Sequence, residues 1–220
     1  MEALASSLAR HNVLQSNLVR RAFVAMDRRF FGLPGDPNVY EDHPVGIGYG
    51  QTLSAPHMHV EALQSLETRL AGLDRNAPVA VLDVGSGSGI LCGGFSLVLR
   101  EMGFAHGRVV GVEVVKGLAE RSIANLRACG LGHLLDSGEI RMFSGSAYDF
   151  EFDGDFDYIH VGAAAAAVPT ELVERLAEGG QMLIPVGPRD GVQTMYLVEK
   201  RQGRVTMQAG LDVRYVPLVK

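Results

Sequence analysis

The stretch Val81-Leu82-Asp83-Val84-Gly85-Ser86-Gly87-Ser88-Gly89 holds the residue types best spaced for chemistry in this chain. An apolar run leads into alternating glycines, and a glycine lets backbone approach a ligand where a side chain would collide. A helix after the turn would add free N–H groups and a positive dipole end to the same crevice. Open parallel sheets seat their ligands there, outside the carboxyl ends of the strands. Dinucleotide folds space their glycines G-x-G-x-x-G to rest a pyrophosphate on the helix. Here the spacing is G-x-G-x-G, and Asp83 precedes Gly85 by two residues. A carboxylate at that point repels a pyrophosphate and suits the ammonium of an amino-acid moiety. Glu113, 24 residues after Gly89, ends the next apolar run and can accept hydrogen bonds from both hydroxyls of a ribose. Without the glycines it would read as an exposed strand-end carboxylate. With them it points to an adenosine-type ligand, without choosing among such ligands.

These residues need elements to hold them. Val79–Val84 reads as a first strand, Ile90–Met102 as a helix, Val109–Val115 as a second strand and Leu118–Cys129 as a second helix. Ile140–Phe143, Phe156–Val161 and Gln181–Val186 follow as strands, with a helix from Pro169 to Ala177 that Gly179-Gly180 would stop. Repeated β-α units of this length imply a parallel sheet with helices on both faces. Thr194–Lys200 and Arg204–Met207 flank Gln202-Gly203 as a hairpin, and Val213–Val219 is a further extended piece that Pro217 places at an edge. Upstream, Leu18, Ala22, Phe23, Met26 and Phe30 repeat at helical spacing, with Ser16 as N-cap and Gly32 and Pro34 as the stop. Residues 32–51, with five glycines and three prolines, predict an ordered loop, and Pro56–Leu70 a helix.

A length of 220 residues with 47% hydrophobic and 20% charged side chains suits one well-cored soluble domain. A net charge of −5 and the lack of a Lys/Arg cluster argue against a nucleic-acid partner. Arg20, Arg21, Arg28 and Arg29 come nearest, and they read as the solvated face of a helix. No run approaches a membrane span and the N-terminus has no secretory pattern, so a cytoplasmic location is expected. Cys92 and Cys129 have no metal-like spacing and are expected as reduced thiols. His57 and His59, at i and i+2, would face different sides of a helix, so no metal is expected.

The D-x-G-x-G-x-G form resembles the first motif of S-adenosylmethionine-dependent methyltransferases. A second segment is more specific: Gly48-Tyr49-Gly50-Gln51-Thr52-Leu53-Ser54-Ala55-Pro56-His57-Met58-His59 resembles the signature of the protein-L-isoaspartate O-methyltransferases. Leu82–Leu91, His160-Val161-Gly162-Ala163-Ala164, Leu183-Ile184-Pro185-Val186-Gly187-Pro188 and Tyr215-Val216-Pro217-Leu218 match that family in order. The resemblance implies an α/β Rossmann-like methyltransferase fold, a mostly parallel doubly wound sheet with N-terminal helices and a C-terminal antiparallel hairpin. Within one domain it implies an N-terminal helical and loop segment, 1–78, a cofactor-binding core, 79–190, and C-terminal strands at the substrate site, 191–220. It also implies that Ser54 lies beside the acceptor carboxylate and the transferable methyl. Gln51, Thr52, Leu53, Ser54, His59, Asp83, Gly85, Gly87, Gly89, Glu113, Ser146 and Ala147 would hold S-adenosylmethionine. Ser54, Tyr215, Val216, Pro217 and Leu218 would hold the isoaspartyl residue. Ser54 has a plainer alternative, as the helix N-cap ahead of Pro56.

The implied reaction is methylation of the α-carboxylate of L-isoaspartyl residues in damaged proteins and peptides, by a monomer, with S-adenosylhomocysteine as product. Such an acceptor is ionised at neutral pH and needs no strong base, which agrees with a site marked by serine. One position departs from the pattern. The family usually has Gly-Asp-Gly after its third strand, the Asp approaching the adenine amino group, where this chain has Gly145-Ser146-Ala147. Losing that charge-assisted bond costs on the order of 1–3 kcal/mol unless something replaces it. Three rivals remain: a methyltransferase with a different acceptor, a cofactor-binding relative without catalysis that serves as an interaction module, and a nicotinamide-dependent oxidoreductase, which the G-x-G-x-G spacing disfavours.

Overall fold

A computed structural model describes residues 1–219. The chain opens with a helix that periodicity did not announce, α1 (Glu2–Arg10), and continues into α2 (Asn17–Ala25). Ser16 caps α2 as expected, its Oγ accepting the Val19 N–H at 3.2 Å. The helix stops at Met26, short of the expected Phe30, and the Asp27 carboxylate caps a separate 3₁₀ turn at Arg28–Phe30. That break divides the four arginines. Arg20, Arg21 and Arg29 pair with Glu2, Glu101 and Asp27 toward solvent, but Arg28 is turned inward and fully buried. The expectation of a solvated face fails at Arg28 because residue 28 no longer lies on that face.

Residues 32–51 are not all loop. Val45–Gly48 (β1) and Gln51–Leu53 (β2) form an antiparallel hairpin through Gly48, Tyr49 and Gly50, all three at positive φ. Strands of three and four residues are too short to show alternation, so only the turn residues were legible. α3 (Pro56–Leu70) has its expected bounds, with proline in its first turn.

β3 (Val79–Val84) begins the main sheet, followed by α4 (Ile90–Glu101), β4 (Gly107–Glu113), α5 (Lys116–Ala128), the short α6 (Gly132–Asp136), β5 (Ile140–Ser144) and β6 (Phe156–Val161). After α7 (Thr170–Glu174), the chain runs through β7 (Leu176–Val186), β8 (Gln193–Arg201) and β9 (Arg204–Val213). The strand order is β5-β4-β3-β6-β7-β8-β9, parallel from β5 to β7 and antiparallel at β8 and β9. Alternate residues of β3 feed opposite cores. Val79 and Val81 join Leu63, Phe95 and Tyr158, whereas Leu82 and Val84 join Ile159, Leu172 and Ile184. Among the described residues no helix is long and apolar enough to cross a membrane.

The glycine pair Gly179-Gly180, expected to stop a helix, lies inside β7. Gly179 takes φ +74°, and a Cβ on Gly180 would stand 2.9 Å from the Phe156 carbonyl oxygen, beside a register shift between β6 and β7. The pair makes a bulge. At the other end, Gln202 and Gly203, both at positive φ, close the expected hairpin. β9 outruns its expected end by six residues and carries one extra residue near Leu211. The last segment forms no ladder: Val216 and Leu218 bracket Ala164 through bonds of 2.7 and 2.8 Å, a single parallel bridge just beyond β6.

Candidate active site

The chain leaves β3 outward to β4 and β5, then returns to lay β6 on the other side of β3. That reversal opens a crevice at the carboxyl ends of β3 and β6, where an open sheet binds its ligand. The glycine turn leaves β3 there, and Gly162 leaves β6, its N–H donating to the Val84 carbonyl at 2.7 Å. A Cβ on Gly162 would approach the Gly85 carbonyl oxygen to 2.9 Å, so only glycine allows the two turns to close up. Three cavities meet at this point, and Thr52 and Gly162 line all three.

The outer cavity, about 330 Å³, has Gly85 and Gly87 as its floor and Gln51, Thr52 and Ile47 as its roof. Glu113 closes one side. Its carboxylate accepts the Gly87 N–H through Oε2 and the Val115 N–H through Oε1, each at 2.8 Å. Each oxygen keeps a further lone pair, on a carboxylate fixed in orientation and only 5% exposed. Ser146 and Ala147 stand beyond it. The Ser146 Oγ accepts the Tyr148 N–H at 3.3 Å, so one acceptor position of the hydroxyl is taken and its O–H is free to donate. Pro217 and Leu218, expected with Tyr215 and Val216 as substrate-binding residues, line this cavity and not the third.

The inner cavity runs between Asp83, His160, His59 and Ser54. Asp83 is buried, with Oδ1 2.7 Å from His160 Nδ1 and Oδ2 accepting the Cys92 thiol at 3.3 Å. Burial, with the Asp83 charge added, pushes the Cys92 pKa well above its ordinary value, so the residue is a thiol donor to Asp83. Burial and then the Arg28 charge hold His59 well below the usual histidine range, and its ring is neutral. The Ser86 and Ser88 hydroxyls are buried on this cavity without a hydrogen-bond partner. A native fold leaves few such groups unmatched, and here they mark a place shaped for a polar ligand.

The third cavity, about 290 Å³, lies between the start of α3 and the end of β9, walled by Pro44, Met58, Leu211 and Val213. Ser54 lines both this cavity and the inner one. Its side chain lies beside the Tyr215 hydroxyl; burial raises the Tyr215 pKa, and Ser54 partly offsets that. Ser54 is not the cap of α3. The N-cap residue is Ala55, which makes no side-chain cap bond, and Asp42 takes the His57 N–H at 3.0 Å instead. The Ser54 hydroxyl is therefore not taken up in capping α3.

The expected site residues are spread over the three cavities. Gln51, Glu113, Ser146 and Ala147 line the outer cavity, Leu53, His59 and Asp83 the inner, and Tyr215 the third; Gly85 and Gly87 are shared by the outer and inner, Val216 by the outer and third, and Thr52 by all three. Gly89 lines none of the three. At φ +88° it starts α4, where a Cβ would meet Ser122 of α5 at 3.0 Å. Ile47, Ser86, Ser88, His160 and Gly162 were missed, although Ser86 and Ser88 occupy the variable positions of the glycine motif. His57 and His59 go separate ways: His57 pairs with Asp42 at the surface and His59 is buried beside Arg28.

A parallel sheet reversed at this point, with a glycine turn and a strand-end carboxylate about one crevice, is a Rossmann-like fold with a crevice of the adenosine-binding class. The whole chain, residues 1–220, matches the family described as protein-L-isoaspartate(D-aspartate) O-methyltransferase. The chain belongs to that family. It is 37% identical over 217 residues to protein-L-isoaspartate O-methyltransferase 2 of Arabidopsis thaliana, covering 98% of this chain and 66% of that one. It is 38% identical over 216 residues to the Caenorhabditis elegans protein-L-isoaspartate O-methyltransferase, covering 98% and 90%. Among solved structures, the Plasmodium falciparum family member in complex with S-adenosyl-L-homocysteine superposes with a TM-score of 0.86 at 30% identity, over 99% of this chain and 97% of that one.

Proposed function

We propose that the protein repairs damaged proteins and peptides by moving a methyl group from S-adenosylmethionine to the α-carboxylate of L-isoaspartyl residues. One observation carries this reading: Ser54 stands on the boundary between an inner cavity lined by unpartnered hydroxyls and a third, more open cavity of mixed apolar and polar lining. When bound, the cofactor supplies a methyl on a positively charged sulfur.

The chain's own residues do the rest. Glu113 would take the ribose hydroxyls with its two remaining lone pairs, and Ser146 and Ala147 would meet the base. Asp83, Ser86 and Ser88 would hold the amino-acid end. Ser54, beside Tyr215, would hydrogen-bond the acceptor carboxylate. That carboxylate is already ionised, so no side chain need remove a proton, in keeping with a site whose His59 is neutral and whose Cys92 is a thiol. The gain comes from alignment and from keeping water out. Met58, Leu211 and Val213 would give the peptide an apolar wall, with His57, Asp212 and Arg214 on the same lining.

The test uses methyl-labelled cofactor and two peptides that differ only in Asp against isoAsp. Label is expected in the isoAsp peptide alone; equal incorporation, or none, removes the assignment. Ser146→Asp gives a second expectation. One aspartate oxygen can keep the Tyr148 N–H while the other faces the outer cavity, adding a charged acceptor for an adenine amino group. A gain of about 1.4 kcal/mol tightens cofactor Kd roughly tenfold. Unchanged or weaker binding in a calorimetric titration would show that the base lies elsewhere.

A further inference from the structure

Arg28 has no exposed surface, and its three bonds join three separate segments. Nε donates to the Val39 carbonyl at 2.8 Å, and Nη1 to the Ser54 carbonyl at 3.0 Å and to His59 Nδ1 at 3.2 Å. Burial lowers its pKa to about 10, with Asp42 opposing, so the guanidinium is charged at neutral pH. Asp42 acts on it through space, since that carboxylate is hydrogen-bonded to the His57 N–H and ring. A buried cation without a contacting anion is a poor device for stability, because its desolvation exceeds what neutral acceptors return.

The arrangement makes sense as a constraint on the site. A guanidinium only donates, so the His59 nitrogen facing it must present a lone pair. The ring's one proton then sits on Nε2, the edge turned away from Arg28. The same Nη1 fixes the peptide carbonyl of Ser54, immediately before α3. We propose that Arg28 is a positioning residue for methyl transfer: it locks His59 as the neutral Nε2–H tautomer and pins Ser54, so that both meet the inner cavity in one arrangement. Lysine cannot substitute. A single ammonium lacks the planar fork that spans Val39 on one side and Ser54 and His59 on the other.

The kinetic part of this inference rests on the methyl-transfer reading; the tautomer part does not. Nitrogen-15 spectra of histidine-labelled wild-type protein at pH 7 are expected to show His59 neutral, with Nδ1 unprotonated. A protonated Nδ1, or a charged ring, overturns the proposal, whether or not Arg28 variants fold. In Arg28→Lys, His59 is expected to relax into a mixture of tautomers. With Ser54 no longer held in register, kcat on the isoAsp peptide is expected to fall about tenfold, with the peptide KM little changed. A purely structural arginine would lower the Tm yet leave the tautomer and kcat of the folded protein as they were, and that result also overturns the proposal. If wild-type protein failed to methylate the isoAsp peptide, the functional reading would fall, while the His59 spectrum would still judge Arg28.

Discussion

Alanine at position 54 is expected to lower kcat on an isoAsp peptide by ten- to a hundred-fold while leaving cofactor Kd nearly unchanged. The hydroxyl is the only group removed. The Ser54 carbonyl still receives Arg28, and α3 keeps its start because Asp42 caps it. What is lost is one hydrogen bond to a charged acceptor, about 1.5–3 kcal/mol, which is roughly ten- to a hundred-fold in rate if the bond matters in the transition state. The proposed bond serves the acceptor and not the cofactor, so calorimetry and turnover should separate: near-normal binding, slow methylation. Turnover equal to wild type would refute the role given to Ser54, and a parallel collapse of cofactor binding would move Ser54 from the acceptor to the cofactor.

Much of this site was legible because its signals are local. The glycine turn, Asp83 and the strand-end Glu113 lie within 31 positions, in a β-α-β stretch whose apolar runs are bounded by glycines. β3, β6 and α3 have their expected bounds because long apolar runs and a proline in the first turn leave few alternatives. Features decided by distant contacts were not legible. Arg28 looked like its exposed neighbours until a helix break of a single turn turned it inward. His160 and Gly162 become site residues only because β6 returns beside β3, a matter of strand order rather than of residue type. The Gly179-Gly180 pair carries the same letters whether it ends a helix or makes a bulge, and the Phe156 carbonyl pressing on Gly180 decides between them. Pro217 and Leu218 are expected at the acceptor by resemblance alone; that they line the outer cavity follows from the bridge to Ala164, a contact across 53 positions that no local pattern announces.

Glu113→Ala is the substitution expected to cost the cofactor most. Two requirements meet in that one carboxylate. It supplies the proposed acceptors for the two ribose hydroxyls, and it holds the Gly87 and Val115 N–H groups that shape the glycine turn and the entry to α5. Alanine removes the acceptors and leaves two backbone donors unmatched in a region that is only 5% exposed at residue 113. Losing two charge-assisted bonds at about 1.5 kcal/mol each weakens cofactor Kd more than a hundred-fold, before any movement of Gly87 is counted. Glu113→Gln separates the two functions. Its amide oxygen can keep one backbone N–H, but its NH₂ group would face the other N–H as a second donor. Binding should therefore fall less than in the alanine variant while the Tm still drops. The decisive comparison is adenosine against 2′,3′-dideoxyadenosine as competitors of the cofactor. Wild-type protein should prefer adenosine, and Glu113→Ala should bind both equally weakly. If the alanine variant still preferred adenosine, the ribose would be held by some other group, and the outer cavity would need a different occupant.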